Sequence, residues 1–271
     1  MEPELTSTAS VKSDPQAGKE GLRVDRVSHV FEDRSHGATE VLKDVSFAIE
    51  PGQFVSLMGP SGCGKSTVLT MAAGFLEPTE GSVKWQGEPI QGPDHTRGVV
   101  FQKPQLYPWL DVYENVMFGP RALGRERQAR DLARELIAEV GLEGFERHSP
   151  YQLSGGMQHW VALARTLVNE PALLLMDEPF AALDAQTREE MQALLLDIWQ
   201  RHQCTVLFVT HDLEEGLLLA DRVLIMGHRP GTLRESFEVR FPRPREDSLV
   251  FDPEFVEMRG SLREMFRRES K

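Results

Sequence analysis

Residues Gly59 to Thr67 read G-P-S-G-C-G-K-S-T: a glycine, four residues, then Gly-Lys-Ser. This is the phosphate-loop spacing, carried by Gly59, Gly64, Lys65 and Ser66. The glycines let consecutive backbone N–H groups converge on phosphate oxygens, Lys65 adds a cation, and the Ser66 hydroxyl is a ligand for Mg²⁺. Pro60, Ser61, Gly62, Cys63 and Thr67 complete this candidate nucleotide-binding loop. A pair of carboxylates, Asp177 and Glu178, ends the apolar run L-L-L-M-D-E-P. Asp177 is placed to hold Mg²⁺ directly or through water, and Glu178 to polarise an attacking water. In L-S-G-G-M-Q, Leu153 to Gln158, the residues Ser154, Gly155 and Gly156 open a helix and offer an anion a hydroxyl, free N–H groups and a positive dipole end. Two phosphate-facing surfaces on one chain suggest that they serve different copies.

These groups need elements to aim them. Phe54 to Met58 (F-V-S-L-M) is a strand-sized apolar run before the loop, and Ser66 to Ala73 reads as a helix stopped by Gly74, so strand, loop and helix point a helix N-terminus at the anion. Apolar runs at Ala172–Met176, Thr205–Thr210 and Arg222–Met226 suit parallel strands covered by helices on both faces. Leu22 to Val27, Val41 to Ile49 and Ser82 to Trp85 predict a further set of strands, and Gly98 to Phe101 leads to Gln102. From Lys103 to about Val168 the pattern turns helical, with Leu132, Leu136, Ile137 and Val140 on one face before Gly141. Asp184 is a candidate N-cap for a helix whose stripe is Met191, Leu194, Leu195, Ile198 and Trp199; Asp212, with Glu215 at capping-box spacing, starts another. After a Pro/Arg-rich stretch, Asp252 and Pro253 open a last amphipathic helix bearing Phe255, Met258, Leu262 and Phe266, expected to fold back on the domain rather than bind a partner.

Composition narrows the classes. The chain has 271 residues, 40% of them hydrophobic, and a net charge of -12 from 30 Lys plus Arg against 42 Asp plus Glu. That balance argues against a nucleic-acid partner. No run reaches the roughly 18 to 20 apolar residues a membrane helix needs. Cys63 and Cys204 have no metal spacing, which suits a reducing compartment. Residues 1–20 are acidic and Ser/Thr/Pro-rich, without an apolar signal core, and are expected to be a disordered tail.

Taken in order, the motifs resemble the ATP-binding cassette family, the ATPase subunits of ABC transporters, from about Leu22 to Arg234. The resemblance implies an α/β fold: a P-loop NTPase (RecA-like) core with an antiparallel β subdomain and an inserted helical subdomain. It places the ATPase domain at 21–235, the helical subdomain at about 103–168 and a C-terminal extension at 236–271. On this likeness Gln102 is the Q-loop glutamine, sensing Mg²⁺ and the membrane partner; Ala182-Leu183-Asp184 is the D-loop; His211 is the switch histidine on the γ-phosphate; and Phe31 stands where the family stacks an aromatic on adenine. It implies ATP and Mg²⁺ as cofactors, a homodimer or paralogous heterodimer, an integral membrane permease, an external solute-binding protein acting indirectly, and a peripheral place on the cytoplasmic face of the inner membrane.

The stretches R-G-V-V-F-Q, L-Y-P-W-L-D-V-Y-E-N-V and T-H-D-L-E-E-G are most similar to the nitrate, sulfonate and taurine importer group, with another organic solute or a non-transport cassette ATPase as the alternative. The chain departs from the family pattern at His159 and Trp160, after the signature, and at Gly216-Leu217-Leu218, after the switch histidine.

Overall fold

The computed structural model describes residues 21–33, 37–181 and 183–269; the expected tail at 1–20 and Ala182 of the expected D-loop lie outside the described residues. In chain order the first elements are β1 (Leu22–Asp33), β2 (Gly37–Ile49), β3 (Phe54–Met58), α1 (Lys65–Ala73), β4 (Glu80–Trp85), β5 (Glu88–Pro89), β6 (Arg97–Val100), α2 (Val112–Ala122) and α3 (Glu126–Glu139). They are followed by α4 (Gly155–Leu167), β7 (Leu173–Asp177), α5 (Ala185–His202), β8 (Thr205–Thr210), α6 (Leu213–Leu219), β9 (Arg222–Met226), β10 (Leu233–Glu238) and α7 (Pro253–Glu269). These elements form two compact units, one made of the described residues up to Gly92 and from Thr205 on, the other spanning Pro93–Cys204.

In the first unit β2, β1, β4 and β5 form an antiparallel sheet in that order, with Leu22 opposite both Ile49 and Trp85. Beside it, β3 runs parallel to β8 on one side and β9 on the other, while β10 closes antiparallel on β9. Every residue of β3 and of β8 is buried, as expected of strands with helices on both faces. The Phe54 and Phe208 rings meet there at 5.8 Å. β10 was not foreseen: its sequence L-R-E-S-F-E carries only two apolar side chains, and charge is what a solvent-facing edge strand tolerates. The C-terminal helix folds back as expected. Asp252 accepts the Glu254 N–H at 2.8 Å, Phe255 and Leu262 are buried, and α7 lies against α6.

In the second unit β6 and β7 pair in parallel, Arg97 opposite Leu173 and Val100 opposite Met176. The remaining elements are helical. Asp111 and Glu114 form a reciprocal capping box that starts α2, and α3 buries Ala129, Ala133, Leu136 and Ile137 before Gly141 turns the chain at φ +69°. Asp184 caps α5, accepting the Thr187 N–H at 3.0 Å, and the stripe from Met191 to Trp199 faces inward. No helix among the described residues is long and apolar enough to cross a membrane.

Candidate nucleotide site

β3 delivers the chain to Gly59 at the end of a fully buried strand, and α1 begins at Lys65. Between them the backbone closes on itself, the Cys63 N–H donating to Pro60 O at 3.3 Å. Gly64 lies at φ +94°, and a Cβ there would stand 2.5 Å from Leu42 Cδ2, so both backbone and space demand glycine. Lys65 is only 5% exposed, and its ammonium spans the loop, donating to Gly59 O at 2.8 Å and Pro60 O at 3.2 Å. α1 starts without a side-chain cap and without an acidic residue in its first turn. No side-chain cap or first-turn carboxylate therefore competes with an anion for its positive dipole end. Ser66 is exposed at that turn, with Thr67 half-buried behind it; Ser61 and Gly62 are exposed on the loop and Pro60 is half-buried.

The loop's floor was not legible from the sequence. A Cβ on Gly231 would lie 1.9 Å from Cys63 O, so only glycine lets the turn after β9 approach the loop. Cys63 itself turns inward: it is 1% exposed, its Sγ lies 2.8 Å from where a Cβ on Gly59 would be, and burial pushes its thiol above the ordinary cysteine value despite nearby Lys65.

Phe31, on β1, is 44% exposed. The buried His29 ring meets it edge-on at 4.5 Å and is itself held by Thr79 Oγ1 at 3.2 Å from Nδ1; burial lowers the His29 pKa. His211 is exposed between β8 and α6, fixed by its neighbours. Thr210 Oγ1 donates to Glu215 at 2.6 Å and accepts the Asp212 N–H at 3.0 Å, while Asp212 accepts the N–H groups of Glu214 and Glu215.

In the second unit, Asp177 ends β7 and both it and Glu178 are half-buried. Glu178 adopts φ +45°, a left-handed conformation that a glutamate enters only when its surroundings impose it. Such strain collects at functional sites. Ser154 caps α4, accepting the Met157 N–H at 3.2 Å, and stays exposed with Gly155. A Cβ on Gly156 would come within 2.7 Å of Thr187 Cγ2, so the start of α4 abuts the first turn of α5 that Asp184 caps. The backbone N–H and hydroxyl of Thr187 hold the Asp184 carboxyl below its ordinary range.

The buried His159 answers one departure from the family pattern. Its Nδ1 lies 2.8 Å from Gly155 O and its Nε2 3.1 Å from Gln102 O, tying the signature helix to the exposed Gln102. Ser154, Gly155, Gly156, Asp184 and Gln102 therefore share one region of this unit.

Sequence reasoning also missed Arg165, which donates to Pro104 O at 2.9 Å and Gln105 O at 2.8 Å and lies over the Tyr107 ring. The Tyr107 ring makes tilted contacts with both Phe118 and Trp109, and Trp109 is 75% exposed. An aromatic patch follows Gln102 directly. Tyr107 and Trp109 lie in a loop with no hydrophobic period, which is why pattern reading passed over this cluster.

The family model for ABC transporters matches residues 42–181, from within β2 through Asp177 and Glu178. The chain belongs to the ABC transporter family. An uncharacterised ABC transporter ATP-binding protein of Methanocaldococcus jannaschii is 45% identical over 249 residues, which cover 92% of each chain. The taurine import ATP-binding protein TauB of Burkholderia pseudomallei is 45% identical over 256 residues, covering 92% of this cassette and 98% of TauB. Among solved structures, cbiO1 of Clostridium perfringens, part of the ABC transporter complex cbiONQ, superposes with a TM-score of 0.73 at 28% identity, over 91% of this chain and 96% of its own. A dimeric ATP-binding cassette in a post-hydrolysis state bound to ADP and Pi gives 0.70 at 33% identity, over 82% and 100%. The α/β cassette fold, read from motif order, and the resemblance to the taurine, nitrate and sulfonate group, read from particular stretches, hold over nearly the whole chain.

Proposed function

We propose that this cassette is the ATP-hydrolysing subunit of an importer for taurine or a similar small solute, such as another sulfonate or nitrate. The carrying observation is the phosphate loop: a buried lysine bridging it from within, a glycine at Gly64 that backbone and space both favour, and a helix start without a side-chain cap. The solute class is supported by the taurine import proteins among its relatives. Residues 21–235 are the ATPase body, residues of about 103–168 its permease-facing part, and 236–271 an extension.

ATP binds with its phosphates on backbone N–H groups of the loop from Ser61 to Thr67 and its adenine on Phe31. Asp177, Ser66 and Gln102 would each offer Mg²⁺ an oxygen, from a carboxylate, a hydroxyl and an amide, the donor type this hard cation takes. When bound there, Mg²⁺ would neutralise part of the triphosphate charge. Glu178 accepts a proton from the attacking water, which forms its bond to the γ-phosphorus as the bond to the ADP oxygen breaks. His211 contacts the γ-phosphate. Ser154, Gly155 and Gly156 close over the nucleotide of a second copy, with Asp184 beside them, so the triphosphate joins two subunits and its hydrolysis releases them. Binding drives closure only by its differential affinity for the closed pair.

The aromatic patch of Tyr107, Trp109 and Phe118, tethered to Gln102 through the loop that Arg165 holds, is the face offered to a permease at the cytoplasmic side of the inner membrane. An external solute-binding protein acts only through that permease. Uptake of labelled taurine by cells carrying the complete transporter tests the proposal: Lys65→Ala should abolish uptake and ATP-dependent phosphate release together. Taurine uptake surviving in that variant would contradict it, and ATP turnover stimulated by a different solute would move the assignment to that solute.

A further inference from the structure

The stretch after β10 has no part in the mechanism so far, yet it holds the most heavily bonded buried cation of the first unit. Arg245 is 8% exposed. Its Nη1 donates to Leu217 O, Leu218 O and Ala220 O at 3.1, 3.0 and 2.7 Å, and its Nη2 donates to Val239 O and Phe241 O. Leu217 O and Leu218 O belong to the last turn of α6 and Ala220 O to the residue that caps it, carbonyls that no helical N–H reaches. A guanidinium there satisfies them and complements the negative dipole end. Burial pushes the Arg245 pKa down to about 10, so the group stays charged near neutrality.

Two further links run the same way. Arg243 donates to Leu219 O at 2.6 Å and to Asp221 Oδ1 at 2.7 Å, while Asp221 Oδ2 accepts the N–H of Phe54, the first residue of β3, at 2.9 Å. Arg259 on α7 reaches Glu214, in the first turn of α6, at 2.6 Å. Gly216 completes the contact: a Cβ there would stand 2.4 Å from Met58 Sδ, so α6 lies directly on the residue that precedes the phosphate loop. The chain from Val239 to Leu262 thus grips both ends of the seven-residue helix that His211 introduces, and it is bonded to the root of the strand that ends at Gly59.

We infer that the C-terminal extension is a positioning brace for the switch segment, with Arg245, Arg243 and Arg259 fixing where His211 stands relative to the phosphate loop. This rests on the reading of His211 as the γ-phosphate contact. The brace would act on turnover rather than on nucleotide affinity, because none of the three arginines lies on the loop itself, and sub-ångström misplacement of a reacting group costs rate first.

The test uses the full chain and compares His211→Ala, Arg245→Ala, Glu214→Gln, Arg259→Gln and the Glu214→Gln/Arg259→Gln double variant, reading kcat, KM for ATP, affinity for a fluorescent ATP analogue and Tm. Arg245→Ala should lower kcat about tenfold or more with analogue affinity within about twofold. Should Arg245→Ala fold poorly, the half-exposed Glu214–Arg259 pair still decides. Each single variant should lower kcat about threefold at unchanged affinity and nearly unchanged Tm, and the double should fall no further, because both remove one link. Wild-type kcat in all of these variants would overturn the brace. So would additive losses in the double variant, or losses that track analogue affinity. Full turnover in His211→Ala is a distinct outcome that would remove the switch reading beneath it.

Discussion

Glu178 pays for its place with a left-handed backbone at φ +45°, which argues for a role in chemistry rather than stability. Glu178→Gln keeps the shape and removes the base: kcat should fall by about 10²- to 10⁴-fold with ATP affinity retained, as steady-state phosphate release and equilibrium binding would show. Gly64→Ala should do the reverse. With φ at +94° and Leu42 Cδ2 2.5 Å from the new Cβ, it should cost about 1–3 kcal/mol in thermal unfolding and weaken ATP binding at the same time. Burial governs both cysteines: it holds Cys63 above its ordinary value and pushes Cys204 up to about 11. Both thiols should therefore react slowly in the native protein at neutral pH, ATP or not, and readily once denatured; fast native labelling that ATP blocks would contradict this. The phosphate-loop residues were legible because their spacing is local. The direction of the Cys63 side chain was not, since it is set by Gly59, Met226 and Gly231 meeting across the fold.

Elements with a strong period or an uninterrupted apolar run, such as β3, β8, α1 and α5, stand where the sequence places them. The caps at Asp184, Asp212 and Asp252 do so as well. The loop around Tyr107, the capping box at Asp111 and β10 were missed, because a buried Asn115 bonding Tyr107 and Leu110 carries no periodic signal and an edge strand need not be apolar. The α5 cap yields a pH prediction. The N–H and hydroxyl of Thr187 stabilise the Asp184 carboxylate and hold its pKa below the ordinary 3.8, so its contribution is fully present above that value and is lost as pH falls through the folded value. Asp184→Asn, which still caps but cannot titrate, should lose less Tm than the parent over that acid window. Equal losses would mean that the carboxylate charge adds nothing to the cap.

At the scale of the molecule, motif order foretold the family and its fold, because each motif is short and self-contained. What the C-terminal extension does was not foretold. Its role depends on arginines that meet α6 carbonyls remote in sequence, and only the folded chain brings them together. The account's central claim is that the triphosphate joins two copies, its phosphates on one copy's loop and on the other's Ser154 turn. The direct measurement is the solution mass of the Glu178→Gln protein, by light scattering on a sizing column, with and without MgATP. The account predicts a single chain without nucleotide, a stable dimer with ATP, and loss of that dimer when Ser154→Arg is added. A Glu178→Gln protein that binds ATP and stays monomeric at every concentration would contradict it.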